Sequence, residues 1–231
     1  IYQQIKDWSQ AIDVSRQIGQ ISDLSQTGKI AHYYCEIAET ARASDNVKAA
    51  HEAVKKALAT NKASVRASIL QGKLYQQAGK YKNAIKSFQR IREQEITYLP
   101  EVLSNLITCH RMLGDEADLL KFLKESLQQG AGVSVLLAVS ELLRASSDEQ
   151  AAADVITDYI RDKPSLKGLE QLIQIHVNNA TGAAKGNLQL LHGLVVKLIN
   201  KKPVYRCDGC GYATKTLFWQ CPSCKDWETI K

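Results

Sequence analysis

The chain has 231 residues, of which 45% are hydrophobic and 23% charged, and its formal net charge is +6. This composition excludes wholesale disorder, and the small positive excess is only a weak signal for nucleic-acid binding. No apolar run reaches the roughly 18 residues that a membrane-spanning helix requires. Because the sequence opens in the middle of a pattern and without an initiator Met, we expect it to be part of a longer protein.

The sequence repeats itself along most of its length. Tyr2-Gln3-Gln4 returns as Tyr75-Gln76-Gln77, a shift of 73 residues. Between these copies, four small or apolar positions recur 34 residues later: Ala38, Ala50, Val54 and Ala57 correspond to Gly72, Ala84, Phe88 and Ile91. A 34-residue period of this kind resembles the tetratricopeptide repeat. Its small residues let two helices approach closely, and its larger residues fill the space toward the next repeat.

Weaker copies follow at residues 100–130 and 133–164. A last, divergent pair of helices is predicted at 166–177 and 187–200, joined by a loop rich in Gly and Asn, and it would cap the array. The sequence therefore predicts an all-α tetratricopeptide-type solenoid over residues 1–202, with a truncated first repeat. A helical bundle without repeats would share the 3.6-residue periodicity, but it would not produce the 34-residue recurrence.

The first helix of each repeat lines the binding surface of such arrays. By the repeat pattern, its outward positions fall at Arg42, Gln76, Arg111 and Arg144, spaced 34, 35 and 33 residues apart. Three arginines in one register would suit carboxylates on a protein partner. Arginine is also common on solvated helix faces, so a purely structural role stays open. Further candidates for this groove are His32, Glu39, Arg66, Lys73 and Glu141.

Four of the six cysteines form two C-x2-C pairs separated by ten residues: Cys207, Cys210, Cys221 and Cys224. Two such pairs can offer four thiolates to one tetrahedral ion, either iron or zinc. A module of about 30 residues buries too little apolar surface to fold unaided, so residues 203–231 should depend on this tetrathiolate metal ion. Cys35 and Cys109 stand alone on apolar helical faces, where we expect them to pack in the core.

Only a short linker ending at Pro203 separates the last predicted helix from the cysteine module. A flexible tether is usually longer and rich in Gly or Ser. We therefore expect Phe218, Trp219 and Trp227 to form the small core of the module and to dock it onto the array. The expected docking surface is an apolar patch on the closing helices, formed by Leu191, Leu194 and Leu198.

The spelling of the module, CxxCGY…CPxC, resembles rubredoxin and the zinc ribbons, although the segment between the pairs is short and Lys225 stands where Gly is usual. A tetratricopeptide array that ends in such a ribbon, with the tail CPSCKDWE, resembles the lipopolysaccharide assembly protein B family of Gram-negative bacteria. The resemblance implies an adaptor on the cytoplasmic side of the inner membrane, anchored by a segment upstream of this sequence. It also implies two protein partners, the membrane protease FtsH and the deacetylase that commits precursors to lipid A, whose degradation the family promotes.

Two other classes of function remain open. A zinc ribbon and a positive charge occur in nucleic-acid-binding proteins, but no basic run here exceeds two residues, so no nucleic-acid partner is expected. Rubredoxin-like electron transfer would need a reversible iron couple. An enzyme with a small-molecule substrate is not expected, because four thiolates leave the metal no open coordination position.

Overall fold

The structure is a computed structural model that describes residues 1–21 and 25–231. Its helices, in chain order, are α1 (Trp8–Ile21), α2 (Thr27–Ala43), α3 (Val47–Thr60), α4 (Val65–Gln77), α5 (Tyr81–Gln89), α6 (Ile91–Glu95), α7 (Leu103–Leu113), α8 (Glu116–Gln128), α9 (Val133–Ala145), α10 (Glu149–Asp162), α11 (Leu166–Asn179) and α12 (Gly182–Lys201). Two short antiparallel strands follow, β1 (Tyr205–Arg206) and β2 (Ala213–Thr214). The predicted fold class, tetratricopeptide-type helix pairs followed by a cysteine ribbon, is confirmed.

The described part of the chain forms two compact units. The first comprises Ile1–Gly114, Trp219–Cys221 and Lys225–Glu228. The second comprises Asp115–Phe218, Pro222–Cys224 and Thr229–Lys231. Two segments from the end of the chain therefore pack in the first unit, beside residues near the start of the chain. The predicted division into one domain at 1–202 and another at 203–231 stays a prediction.

The turns between the helices of the first unit use the residues that the repeat pattern marks. The side chain of Asn46 accepts a hydrogen bond from the N–H of Ala49 and so caps the start of α3, which satisfies a donor that the helix itself leaves unpaired. Gly79 follows the end of α4 with a φ of +69°, a left-handed conformation that glycine adopts without steric cost. Asn46 and Gly79 thus define the turns that precede α3 and follow α4.

The recurrent small residues mark the closest contact between paired helices. Ala38, Ala50 and Ala84 are all buried. A Cβ added at Gly72 in α4 would overlap the ring of Phe88 in α5, and this ring is itself fully buried. The predicted close approach of the two helices is confirmed, and glycine is required there because no other residue leaves room for the ring.

Replacing Gly72 with Ala should lower the free energy of unfolding by about 1–3 kcal/mol, because the enclosed Phe88 ring has little space into which it can move. The loss should appear even though alanine is the better helix former by about 1 kcal/mol. Gly186→Ala in α12 is the matched control, since a Cβ there meets nothing within 4 Å, and it should stabilise slightly. Urea unfolding measures both. A Gly72→Ala protein as stable as the parent would contradict this contact.

Residues between α5 and α7 contain structure that the repeat pattern does not predict. After α6, Ile96–Val102 forms a 3-10 helix that contains Pro100. Proline lacks the N–H that a continuous α-helix needs, which is consistent with the interruption of α-helix between α6 and α7. The segment buries Tyr98, Leu99 and Val102 in the first unit. The ring of Tyr98 also stacks on Trp219 of the ribbon.

In the second unit, α9, α10 and α11 pack around Leu136, Ile156 and Ile175. The predicted loop before the last helix is wrong, because only residues 180 and 181 separate α11 from α12. Gly186 and Asn187 lower helix propensity without breaking a helix, and the alanines before them favour it. Among the described residues, no helix is both long and apolar enough to cross a membrane.

Candidate metal centre

The four cysteines of the ribbon converge. The sulfur atoms of Cys207, Cys210, Cys221 and Cys224 all lie within 4.8 Å of one another. Cys207 Sγ and Cys224 Sγ are 3.7 Å apart, which is too far for a disulfide. Four sulfurs held about 2.3 Å from a central ion stand about 3.8 Å apart in a regular tetrahedron. The donor set and its spacing therefore fit one tetrahedral metal ion, and zinc and iron both suit such a site.

Both cysteine pairs lie on turns with the same hydrogen bonds. The N–H of Gly211 donates to the carbonyl of Cys207 over 2.9 Å, and the N–H of Lys225 donates to the carbonyl of Cys221 over 3.0 Å. In each turn, the N–H of the first cysteine also donates to the carbonyl five residues later, over 2.8 Å. The two turns are thus equivalent, as expected for a ribbon in which each C-x2-C turn presents two sulfurs to one ion.

Each turn has one residue in the left-handed conformation at the same place. Gly211 has a φ of +76° and Lys225 a φ of +65°, and each follows the first cysteine of its pair by four residues. A residue with a Cβ is strained there by roughly 1–2 kcal/mol. Lys225, which stands where related ribbons have Gly, therefore keeps the shape of the turn but strains its backbone.

Lys225→Gly should raise the affinity for metal about fivefold, because about 1 kcal/mol of strain is removed from a module that folds as it binds. Gly211→Ala should lower the affinity by a similar factor. Competition with a coloured chelator measures both changes. The control is Lys225→Ala, which removes the same charge but keeps the strained backbone. Equal affinities for the Gly and Ala variants at position 225 would show that strain plays no part.

The surroundings of Cys207 favour its thiolate form. Its Sγ lies 3.2 Å from Thr229 Oγ1, and a hydroxyl that donates to sulfur stabilises the thiolate. This contact, together with hydrogen bonds from the backbone of Cys210 and Gly209, lowers the pKa of Cys207 to about 6, although burial works in the opposite direction. Metals bind the thiolate and not the thiol. The supporting role of Thr229 has no signal in the sequence, because its hydroxyl lies outside both cysteine pairs.

The two remaining cysteines are buried in the helical core, as predicted. Burial raises the pKa of the Cys35 thiol to about 12, and burial also raises the pKa of Cys109. Both side chains are therefore neutral thiols at neutral pH. They act as small apolar residues and not as metal ligands or nucleophiles.

Trp227 attaches the second turn of the ribbon to helices near the start of the chain. Its ring stacks on His32 of α2, with 4.7 Å between the ring centroids. It also meets the rings of Trp8 and Tyr33 edge-on. Aromatic rings in such stacked and edge-on arrangements add to the stability that burial alone provides. Trp227 therefore packs against the core of the first unit.

Trp219 makes a second attachment, stacking on Tyr98 with 5.3 Å between the ring centroids. The predicted docking of the ribbon through its tryptophans is confirmed, but the predicted surface is wrong. Instead of being covered by the ribbon, three leucines of α12 are at least half exposed: Leu191, Leu194 and Leu198. The prediction placed the docking surface on α12 because α12 directly precedes the ribbon in the chain. The aromatic partners of the tryptophans come instead from residues spread over the first hundred positions.

Charged groups lie directly under Trp227. Arg66 of α4 is only 3% exposed, and its Nη2 lies 2.8 Å from Glu36 Oε1 and 2.6 Å from Glu39 Oε2. Burial would lower the pKa of Arg66, but the two carboxylates raise it further, so the net shift is upward. The guanidinium carbon is 5.8 Å from the centroid of the Trp227 ring, within the range of cation–π attraction. On the same face, His32 Nε2 lies 3.1 Å from Glu228 Oε1.

The four outward positions predicted from the repeat pattern are equivalent in the structure, since each lies one or two residues before the end of its helix: Arg42 in α2, Gln76 in α4, Arg111 in α7 and Arg144 in α9. The side chains of Arg42 and Arg111 are exposed. Those of Gln76, Arg144 and Lys73 are half-buried. A cation in the last turn also stabilises a helix through its dipole. Contact with a partner at these positions therefore stays a prediction. Among the further groove candidates, Glu141 is exposed, whereas Arg66, its partner Glu39 and the buried His32 belong to the cluster beside Trp227.

Helix pairs of tetratricopeptide type with an attached four-cysteine ribbon define a repeat protein with a built-in metal-binding module. The family described as rubredoxin metal binding domain matches residues 205–231. The chain is 35% identical over 232 aligned positions to lipopolysaccharide assembly protein B of Escherichia coli K12, and 31% identical to that of Haemophilus influenzae. The predicted resemblance is confirmed, because both alignments include every residue of this chain. The chain spans 60% and 58% of the length of these two relatives.

Solved structures of other proteins are similar at low sequence identity. PilF of Pseudomonas aeruginosa is 19% identical, with 86% of each chain covered and a TM-score of 0.48. The N-terminal domain of the stress-induced protein STI-1 of C. elegans is 13% identical, with 52% of this chain and 98% of that chain covered and a TM-score of 0.44.

Proposed function

We propose that this chain is a non-enzymatic adaptor that regulates lipopolysaccharide synthesis from the cytoplasmic face of the bacterial inner membrane. In this role it promotes degradation, by the protease FtsH, of the deacetylase that commits precursors to lipid A. The observation that carries the proposal is the homology to lipopolysaccharide assembly protein B along the entire chain. Stacked helix pairs that present extended surfaces to other proteins suit an adaptor.

The metal has a structural role in this proposal. Four thiolates fill a tetrahedral site, so the ion, zinc or iron, has no open position for a substrate. The ion holds the two turns of the ribbon together, and Trp219 and Trp227 hold the second turn on the helices of the first unit. The ribbon is then part of the surface that a partner meets, and losing the metal would change that surface.

The partner would contact exposed positions at the ends of the first helices. Arg42 and Arg111 in the first unit are exposed and suit carboxylates on the deacetylase or the protease. Lys73, Gln76 and Arg144 are the additional contacts that the repeat pattern proposes. A charge reversal at Arg42 or Arg111 should weaken such a complex without changing the buried core.

Degradation of the deacetylase can be followed with purified FtsH in proteoliposomes, with and without this chain. The adaptor role predicts that the metal-loaded chain shortens the half-life of the deacetylase, whereas an unrelated FtsH substrate is unaffected. The metal-free chain and an Arg42→Glu/Arg111→Glu variant should both fail. A Lys55→Glu/Lys56→Glu variant, which makes the same change of charge on exposed positions of α3, serves as control. A deacetylase half-life that does not respond to the metal-loaded chain would overturn the proposal.

A further inference from the structure

The apolar surface of helix α12 extends beyond its contact with α11. One face packs on α11, where Val195 contributes to a cluster with Ile173 and Val177. Beside this contact, the helix exposes four leucines by 66, 50, 50 and 52%: Leu190, Leu191, Leu194 and Leu198. Three of them are spaced by four residues, so they form a row along the helix. A surface helix normally turns polar residues outward, so this second row requires an explanation.

Lysines border this row. Lys197 and Lys201 each follow a leucine of the row by seven residues, two helical turns, and so lie on the same side of α12. Residues 165–202 contain five lysines and a single acidic residue, Glu170. The Glu170 carboxylate already has a hydrogen-bond partner, since its Oε1 lies 2.8 Å from His192 Nε2. The segment that carries the exposed leucines is therefore strongly basic, and its one carboxylate is paired with His192.

We propose that this surface, the α12 leucine face (Leu190, Leu191, Leu194 and Leu198 with Lys197 and Lys201), binds the surface of a bilayer rich in anionic phospholipid. The helix lies in the plane of the membrane. The leucines enter the boundary between headgroups and acyl chains, and the lysines meet the lipid phosphates. The inference concerns a membrane contact within this chain and does not rest on the adaptor role.

Charge complementarity favours a lipid surface over a second copy of the chain. In a symmetric dimer the same patch faces itself, so Lys197 and Lys201 of both copies would meet with no carboxylate on α12 to pair with them. An anionic bilayer satisfies the leucines and the lysines together. The orientation is also consistent with burial, because Val195 of α12 is already packed on Ile173 and Val177 of α11 and the leucines next to it stay exposed.

Co-flotation with vesicles of phosphatidylglycerol and of phosphatidylcholine tests the proposal on the metal-loaded chain. Binding should occur on the anionic vesicles alone and weaken as salt is raised. Lys197→Gln/Lys201→Gln should reduce the partition coefficient about 25-fold, since each lysine near such a surface is worth roughly a factor of five. Leu194→Gln/Leu198→Gln should reduce it at least about tenfold through lost apolar contact. Both pairs are exposed, so thermal melting should be unchanged.

Lys55→Gln/Lys56→Gln removes the same charge from exposed positions on α3 and is the matched control. It should leave binding within about twofold of the parent, because these lysines lie outside the leucine face. Three results would overturn the proposal. These are absence of binding to anionic vesicles, an equal loss in the control pair, and sedimentation showing that the leucine pair instead disrupts a dimer.

Discussion

Replacing Cys221 with Ser should abolish metal binding and unfold the ribbon. A serine hydroxyl does not ionise at neutral pH, so one corner of the tetrahedron is lost, and structural zinc sites contribute on the order of 10 kcal/mol of apparent folding free energy. Elemental analysis should fall from about one ion per chain to about none. Most of the helical circular dichroism should remain, because helix pairs in repeat proteins are stabilised mainly by their neighbours.

The control for this variant is Ser223→Ala, an exposed side chain between the second pair of cysteines, which should keep its metal. The Cys207→Ser/Cys224→Ser double variant should behave like Cys221→Ser, because it removes one sulfur from each turn. Stoichiometric metal retained by the double variant would mean that the ion is held elsewhere. A parent protein purified without zinc or iron under reducing conditions would argue against the site altogether.

Replacing Trp227 with Ala should lower the free energy of unfolding of the first unit by about 3 kcal/mol. This is the low end of the range for a large aromatic residue, because the ring is partly exposed. The variant loses stacking on His32 and contact with Trp8 and Tyr33, and it uncovers the Arg66 cluster. Urea unfolding followed by circular dichroism gives the value.

Unlike the cysteine variant, Trp227→Ala should retain its metal, because none of the four sulfurs is altered. The two predictions therefore separate formation of the ribbon from its attachment. Phe218→Ala is the matched control, since Phe218 is an aromatic residue of the same tail that is 39% exposed, and it should cost less than about 1 kcal/mol. An unfolding curve of Trp227→Ala that overlies that of the parent would show that the tryptophan contacts contribute nothing.

The repeats and the cysteine cluster could be predicted because both depend on local spacing. A 34-residue period places small residues at the same point of each hairpin, and the contact of Gly72 with Phe88 follows directly. The C-x2-C spacing likewise fixes two turns, each of which presents two sulfurs on its own. The start of α12 was missed because Gly186 and Asn187 look like loop residues, whereas a helix tolerates them once its flanks are helical.

The docking surface could not be predicted in the same way, because it joins residues more than a hundred positions apart in the chain. Trp227 contacts His32, and Trp219 contacts Tyr98, and neither pair has a sequence period or a fixed spacing. The large aromatic side chains did indicate that the ribbon docks. Its location depends on which aromatic rings the folded helices bring together. The sequence placed Arg66 in an open groove because the contact of Trp227 with Arg66 likewise has no fixed spacing in the chain.

Amide hydrogen exchange on the metal-loaded and metal-free chain tests most directly whether the metal-held ribbon is part of the fold of the first unit. If it is, removing the metal should release Trp227 and Trp219 and raise exchange by at least about tenfold in α1 and in the first half of α2. Exchange in α9 and α10, which belong to the second unit, should stay unchanged. Unchanged protection in α2 after complete removal of the metal would contradict the proposed coupling of the metal centre to the repeats.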